Sequence, residues 1–413
     1  MQNIFKSVNK CRICNSIKMD EVLSLGDQPP ANSLYESGKE MPPFIPLRLM
    51  YCDNCSTVQL GEDVDPQYLF SEYVWVTGTS KTAIRYSKEF ANKILNYFTD
   101  IEKELFVVEV ASNDGTFLKS FQEESCRVLG IDPALNIAEI ANENGIPTIA
   151  EFFTNDLSQS LLERYPYADI IFARNVIPHV KEIHSVISGI ELLLSDEGIG
   201  VIEFHDAGLV LNQNQYDYIY HEHLFYFTLT SINKLLKIYN LHIFDISRSP
   251  ISGGAWVIFF AKNIRAKSRA MINEQDSEDE LRLNLKKTWL EFSKNAKKHA
   301  KELKSLVLNH IEKHGKIIAY GASARSSTVL NYCEINSEHV SMVIDKNPLK
   351  DGLYTVGSNI PIVSFEHGLK YIIKSDSILL LAWNFKDEII KDLRESGFKG
   401  KFIIPLPGDP YIL

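Results

Sequence analysis

Near the middle of the chain, Tyr220-His221-Glu222-His223 places a phenol, two imidazoles and a carboxylate side by side. Imidazole titrates near neutrality and can take up or return a proton. A phenol can donate to an oxygen that is gaining negative charge. The two histidines are two residues apart. A helical zinc-protease motif needs them four apart on one face, so that chemistry is excluded. In an extended segment neighbouring positions alternate, so His221 points away from His223 and reads as a supporting residue. The plain alternative is a pair of hydrogen-bonded histidines in a loop.

A second constellation is made of thiols. Cys11/Cys14 and Cys52/Cys55 are two C-x-x-C pairs. In a reducing compartment such pairs favour metal over disulfides, and four thiolates complete a closed, tetrahedral, structural zinc site. A redox pair, or four unrelated thiols, is the competing reading. Cys126 and Cys333 stand alone in apolar runs and read as small core residues.

A third is the turn Glu109-Val-Ala111-Ser112-Asn113-Asp114-Gly115, with Asp132 beyond it. Small residues there let a ligand approach the backbone, and a carboxylate ending the next strand can hold two ribose hydroxyls. The glycine fingerprint is incomplete, because Ala111 and Asn113 stand where glycines often do. The arrangement suits S-adenosylmethionine (SAM), with a dinucleotide or an empty tight turn as alternatives. A similar stretch, Gly321 to Ser326, offers small residues at a helix N-terminus and the fork of Arg325, which suits a diphosphate.

These groups need a scaffold. LFVVEV, CRVLGID, ADIIFA and GIGVIEF are apolar runs separated by helical stretches, so a mostly parallel, doubly wound sheet is predicted. Asn175, His179 and His205 then fall at the carboxyl ends of strands. LHIFDISRS and AWVIFFAKN predict two further strands, with an antiparallel strand at the sheet edge. Ser80 is placed to cap a helix. KIIAY, VSMVIDKN, SILLLAW and KFIIPLP predict a second α/β unit. The expected division is a zinc-binding module at 1–68, a Rossmann-like domain at 69–263 whose antiparallel strand pair suits a class I methyltransferase more than a dehydrogenase, a charged helical connector at 264–314 and a second Rossmann-like α/β domain at 315–413.

The 413 residues carry a net charge of −10, which argues against a nucleic-acid footprint. No run of about 18 apolar residues predicts a membrane span. The opening MQNIFKSVNKCRIC lacks the apolar core of a signal peptide, so the cytoplasm is the expected location.

The two C-x-x-C pairs, VVEVASNDGTFL, ARNVIPHV, YDYIYHEHLFYF, AYGASARSSTVLNYC and LLLAWNF occur in this order. Over nearly its whole length the chain resembles the SAM-dependent sugar-nucleotide C-methyltransferases that make 3-C-methylated deoxysugars. It differs from that pattern at Ala255 and Val257, at Thr355 to Ser358, and in its aromatic loop with Tyr73 and Trp75. The resemblance implies that Tyr220, Glu222 and His223 line the reaction centre, with His223 as general base. It implies that Asn175, His179, Tyr73, Trp75, Tyr320, Ser323 and Arg325 meet a nucleotide-linked keto-deoxysugar. Glu109 to Gly115 with Asp132, Pro133 and Phe152 would hold SAM. Enolisation beside a ketone, then methylation at C3, is the implied reaction of a monomer. O- or N-methylation, and a zinc-containing nucleic-acid-binding protein, are the competing functions.

Overall fold

The computed structural model describes residues 4–70, 77–98, 103–251 and 254–413. Its first sheet is antiparallel and joins β1 (Met19–Gln28), β2 (Ile45–Cys52) and β3 (Val58–Leu60). Ile45, Leu47, Leu49 and Tyr51 alternate inward along β2, the period of a strand buried on one face. The fourth strand of this sheet comes from far along the chain, as described below.

The central sheet has seven strands. They are β4 (Phe106–Val110), β5 (Arg127–Ile131), β6 (Thr148–Ile149), β7 (Ala168–Arg174), β8 (Leu194–His205) and the later pair introduced next. Between them lie α1 (Lys81–Leu95) before the sheet, α2 (Thr116–Glu123), α3 (Leu135–Glu143), α4 (Asn155–Leu162) and α5 (Ile183–Leu193). All five residues of β4 are buried, as expected of a strand covered on both faces. Ser80 caps α1, accepting from the Ala83 amide.

After β8 the chain forms the short strand β9 (Phe225–Tyr226), α6 (Leu229–Ile238), β10 (His242–Arg248) and β11 (Ala255–Ala261). The sheet order is β10-β11-β8-β7-β4-β5-β6. The antiparallel strand expected at the edge is β11, and it lies one place in: it pairs with β8 on one side and β10 on the other. Its seven residues are all buried, and a strand covered on both faces gains more as an inner strand than at the rim. Strand β9 joins the first sheet instead, pairing with β3 (Gln59 opposite Phe225, Val58 opposite Tyr226). One sheet therefore contains both the cysteine module and the chain just after His223.

The connector is α7 (Arg269–Glu280) and the 29-residue α8 (Lys286–His314). Trp289, Phe292, Ala296, His299, Leu303 and Val307 form a buried stripe along α8 at helical spacing. The last unit contains β12 (Ile317–Tyr320), α9 (Ala324–Tyr332), β13 (Val340–Asp345), β14 (Ile362–Ser364), α10 (Phe365–Ile372), β15 (Ser377–Leu380), α11 (Lys386–Glu395), β16 (Lys401–Ile404) and β17 (Tyr411–Ile412). Its strands run in the order β14-β13-β12-β15-β16-β17.

Candidate active site and metal centre

The four N-terminal thiols converge, with every Sγ within 4.8 Å of the others. Cys11 and Cys55 are 3.5 Å apart, as are Cys14 and Cys52. A tetrahedral zinc with bonds near 2.3 Å needs sulfurs about 3.8 Å apart, so the donor set fits that ion. Each knuckle closes the same way. Asn15 and Ser56, directly after the second cysteine of each pair, adopt left-handed backbone (φ 56° and 62°). Their amides bond back to the Cys11 and Cys52 carbonyls.

The turn after β4 is shaped for a ligand. Ala111 and Asn113 take φ 55° and 50°, the conformation that glycine adopts most easily, and Gly115 takes 77°. The missing glycines are therefore absent from the sequence but not from the backbone geometry. Asp132, at the end of β5, accepts from the Asn113 amide (2.9 Å) and the Ala134 amide (2.9 Å), which fixes the turn and the carboxylate together. Among the described residues, a buried Glu109 oxygen and the Ser112 hydroxyl have no hydrogen-bond partner. Such orphans mark where a bound group would complete the site. Burial raises the Glu109 carboxyl well above its ordinary value, and Arg174 opposes the rise. Asp114 faces the other way: it accepts from the Gly78 amide and from Thr116. Pro133 and Phe152 are exposed beyond β5 and β6, as is Leu135, which sequence reasoning passed over.

At the carboxyl end of β7, Asn175 has φ 52° and its amide bonds to the Glu203 carbonyl. The buried Glu203 side chain accepts from Arg174 (2.9 Å), Asn175 (3.3 Å) and Ser249 (2.9 Å). Nothing in the sequence singled out Glu203, because its partners come from strands that are distant in the chain.

The residues expected at the reaction centre come together as a stack of rings. His223 lies 3.9 Å from the Tyr220 ring and 4.1 Å from Tyr218, centroid to centroid. His205 stacks on the other side of Tyr218 at 3.9 Å, and His179 meets His223 edge-on at 4.8 Å. His223 Nδ1 is 2.8 Å from the Tyr218 carbonyl, and His179 Nδ1 is 2.7 Å from the Glu222 carbonyl. A carbonyl only accepts, so each Nδ1 carries the proton and each Nε2 keeps its lone pair. Burial pushes His223 well below the usual histidine value, and His179 down to about 4. Both rings are neutral at neutral pH.

The stack is held from three directions. From the cysteine module, Asn32 donates to Glu222 (2.6 Å), and the Ile45 and Pro46 carbonyls accept from His221 Nε2 (3.3 Å each). His221 thus supports the stack as expected, but the segment is a turn, closed by the His223 amide on the Tyr220 carbonyl, and not the extended run on which that expectation rested. From the turn after β7, the Pro178 carbonyl accepts the Leu224 amide (2.8 Å). From the last domain, Arg325 grips Asp217 through Nε (2.8 Å) and a second nitrogen (3.1 Å), and Trp383 donates to the same carboxylate (2.8 Å). The Arg325 fork, read from the sequence as a diphosphate ligand, is engaged by Asp217 and Gln215. Burial raises the Glu222 carboxyl to about 7, with Asn32 pulling the other way.

Ser323 caps α9, while the buried Tyr320 hydroxyl has no partner among the described residues. Asp345 accepts from the Ala322 amide (2.7 Å) and the Asn347 amide (2.9 Å), the same lock that Asp132 makes in the first domain. Tyr73 and Trp75 lie outside the described residues.

Three family models cover most of the chain: "Putative zinc binding domain" at 11–70, "Methyltransferase domain" at 83–245 and "C-methyltransferase C-terminal domain" at 250–407. The C-methyltransferase NovU of Streptomyces niveus is 30% identical, covering 98% of this chain and 97% of its own. The chain belongs to this family of zinc-containing, SAM-dependent C-methyltransferases. Solved structures that align include magnesium protoporphyrin IX methyltransferase ChlM from Synechocystis PCC 6803 (13% identity, 46% of this chain and 87% of that one, TM-score 0.34). Another is the plantazolicin methyltransferase BpumL with S-adenosylhomocysteine (14%, 45% and 86%, 0.35).

Proposed function

We propose that the enzyme methylates the carbon beside the ketone, C3, of a nucleotide-linked 4-keto-deoxysugar, and that His223 removes the proton from that carbon. A carbon acid becomes a nucleophile only once it is deprotonated, and a neighbouring carbonyl is what makes this accessible near neutral pH. The observation that carries the reading is the fixed tautomer of His223: Nδ1–H is held by the Tyr218 carbonyl, which leaves Nε2 as a neutral base between two phenols.

When bound, SAM supplies an electrophilic methyl group. Glu109, Ala111, Ser112, Asn113 and Asp132 would hold it, with Pro133 and Phe152 on the open side. His223 takes the proton, and Tyr220 donates to the ketone oxygen as charge develops there. Asn175 and His179 position the sugar. The Asp345 lock, repeating that of Asp132, supports a nucleotide at the turn of Tyr320 and Ser323. Structural zinc on Cys11, Cys14, Cys52 and Cys55 would hold the sheet that carries β9. Among the described residues no helix is long and apolar enough to cross a membrane. Four thiols gathered for zinc and two more in the core, none of them in a disulfide, suit a reducing cytoplasm, and a monomer is the proposed working form.

A specific observation favours a second assignment of the base: Glu222, with its carboxyl near 7, titrates where a general base works well. The experiment for the reaction is incubation with methyl-labelled SAM and a panel of nucleotide-linked 4-keto-deoxysugars. Carbon NMR should show a new methyl on carbon. A methyl on oxygen or nitrogen, or no product from any member of the panel, would refute the substrate reading.

A further inference from the structure

Among the polar groups around His223, the Tyr226 hydroxyl is set apart by its surroundings. Tyr226 is 2% exposed; the Tyr220 amide lies beside its oxygen, and among the described residues its hydroxyl hydrogen has no acceptor. Buried hydroxyls nearly always find one, in the protein or in what the protein binds. The side it faces follows from strand β9. Phe225 and Phe227 stack on each other at 5.0 Å, and Arg12 of the cysteine module lies over Phe225. Tyr226 alternates to the opposite side. There its ring meets Tyr218 edge-on at 6.5 Å, and Tyr218 in turn covers His223. Tyr218 and Tyr220 are only partly buried, so Tyr226 forms the inner end of the aromatic cluster. Burial and the neighbouring Tyr218 hold its phenol well above the ordinary range, so it stays protonated. Orphaned atoms also occur away from any ligand turn, on Glu62, His184 and Tyr332, whereas those of Glu109, Ser112 and Tyr320 lie at or beside turns shaped for a ligand.

We propose that the Tyr226 hydroxyl is a substrate-positioning donor of the reaction centre, one that hydrogen-bonds an oxygen of the sugar when substrate is bound. This rests on the keto-sugar reading above. It assigns Tyr226 a role separate from those of Tyr220 and His223, because the hydroxyl lies on the enclosed side of the rings.

Tyr226→Phe removes one oxygen and keeps the ring, and the test compares it with the wild type on the same panel of nucleotide-linked 4-keto-deoxysugars. The expected result is an unchanged or higher Tm, unchanged SAM affinity by calorimetry, and a fall of roughly tenfold or more in kcat/KM, carried mainly by KM. A wild-type kcat/KM in Tyr226→Phe would overturn the proposal while leaving the substrate reading intact. A lower Tm would overturn it too, since the hydroxyl would then have a structural partner. A wild type inert toward the whole panel would refute the substrate reading and this proposal with it.

Discussion

His223 has one nitrogen assigned by the structure and one left for chemistry. Loss of that ring should lower methylation by roughly 10²–10⁴-fold, the usual worth of a general base. Calorimetry of His223→Ala should show SAM affinity retained, because the ring is not part of the cofactor turn. Proton exchange at the sugar carbon, followed in deuterated water with S-adenosylhomocysteine, should vanish with it. If methylation survives near the wild-type rate, His179 is the next residue to test, since its Nε2 is equally unprotonated. The pH profile separates His223 from Glu222. Burial depresses His223, so it stays a free base as the pH falls through 6.5, and kcat/KM should hold there. A Glu222 base, raised to about 7, would lose half its activity near that pH. The cluster itself was legible, because its residue types are unusual and adjacent. Its setting was not: Asn32 lies 190 positions from Glu222, and no local pattern links them.

At the scale of elements, the strand–helix alternation was readable because buried parallel strands are continuous apolar runs. The four-stranded sheet of the cysteine module was not, since half its length is turn-rich and its last strand, β9, has only two residues. That strand gives the metal a function beyond local stability. Cys11→Ser with Cys14→Ser should remove about one equivalent of zinc by elemental analysis. Methylation should fall sharply, because β3 and Asn32 would no longer hold the chain at residues 222–226. SAM affinity should change by no more than a few-fold, as the cofactor turn is built on β4 and β5. Loss of SAM binding as well would mean that the module supports the entire domain. The cofactor turn was legible although its glycine fingerprint is incomplete: Ala111 and Asn113 accept a backbone conformation that sequence patterns reserve for glycine.

At the scale of the molecule, the last domain is joined to the reaction centre through a buried charge. The Asp217 side chain is fully buried and its oxygens are taken by Arg325 and Trp383. Removing one partner of such a pair leaves an uncompensated charge and costs about 3–5 kcal/mol. Arg325→Met should therefore lower the urea midpoint, and Asp217→Asn in the same chain should restore part of the loss. An unchanged midpoint in Arg325→Met would show that the domains are held by apolar contact alone. The second α/β unit was visible in the sequence, but its docking was not. A lone arginine beside small residues reads as an anion ligand, and its true neighbour lies 108 positions upstream.

The pairing of β3 with β9 also bears on how such enzymes could diversify by recombination. A crossover that imported a foreign N-terminal module would bring a new β3, a new partner for Glu222 and new carbonyls for His221, all facing the resident catalytic segment. Residues 32, 45–46, 58–60 and 221–226 therefore form one unit of inheritance, although more than 150 positions separate its two halves. Chimaeras built at the natural-looking joint near residue 70 should bind SAM yet transfer methyl groups poorly, until residues 221–226 are exchanged along with the module.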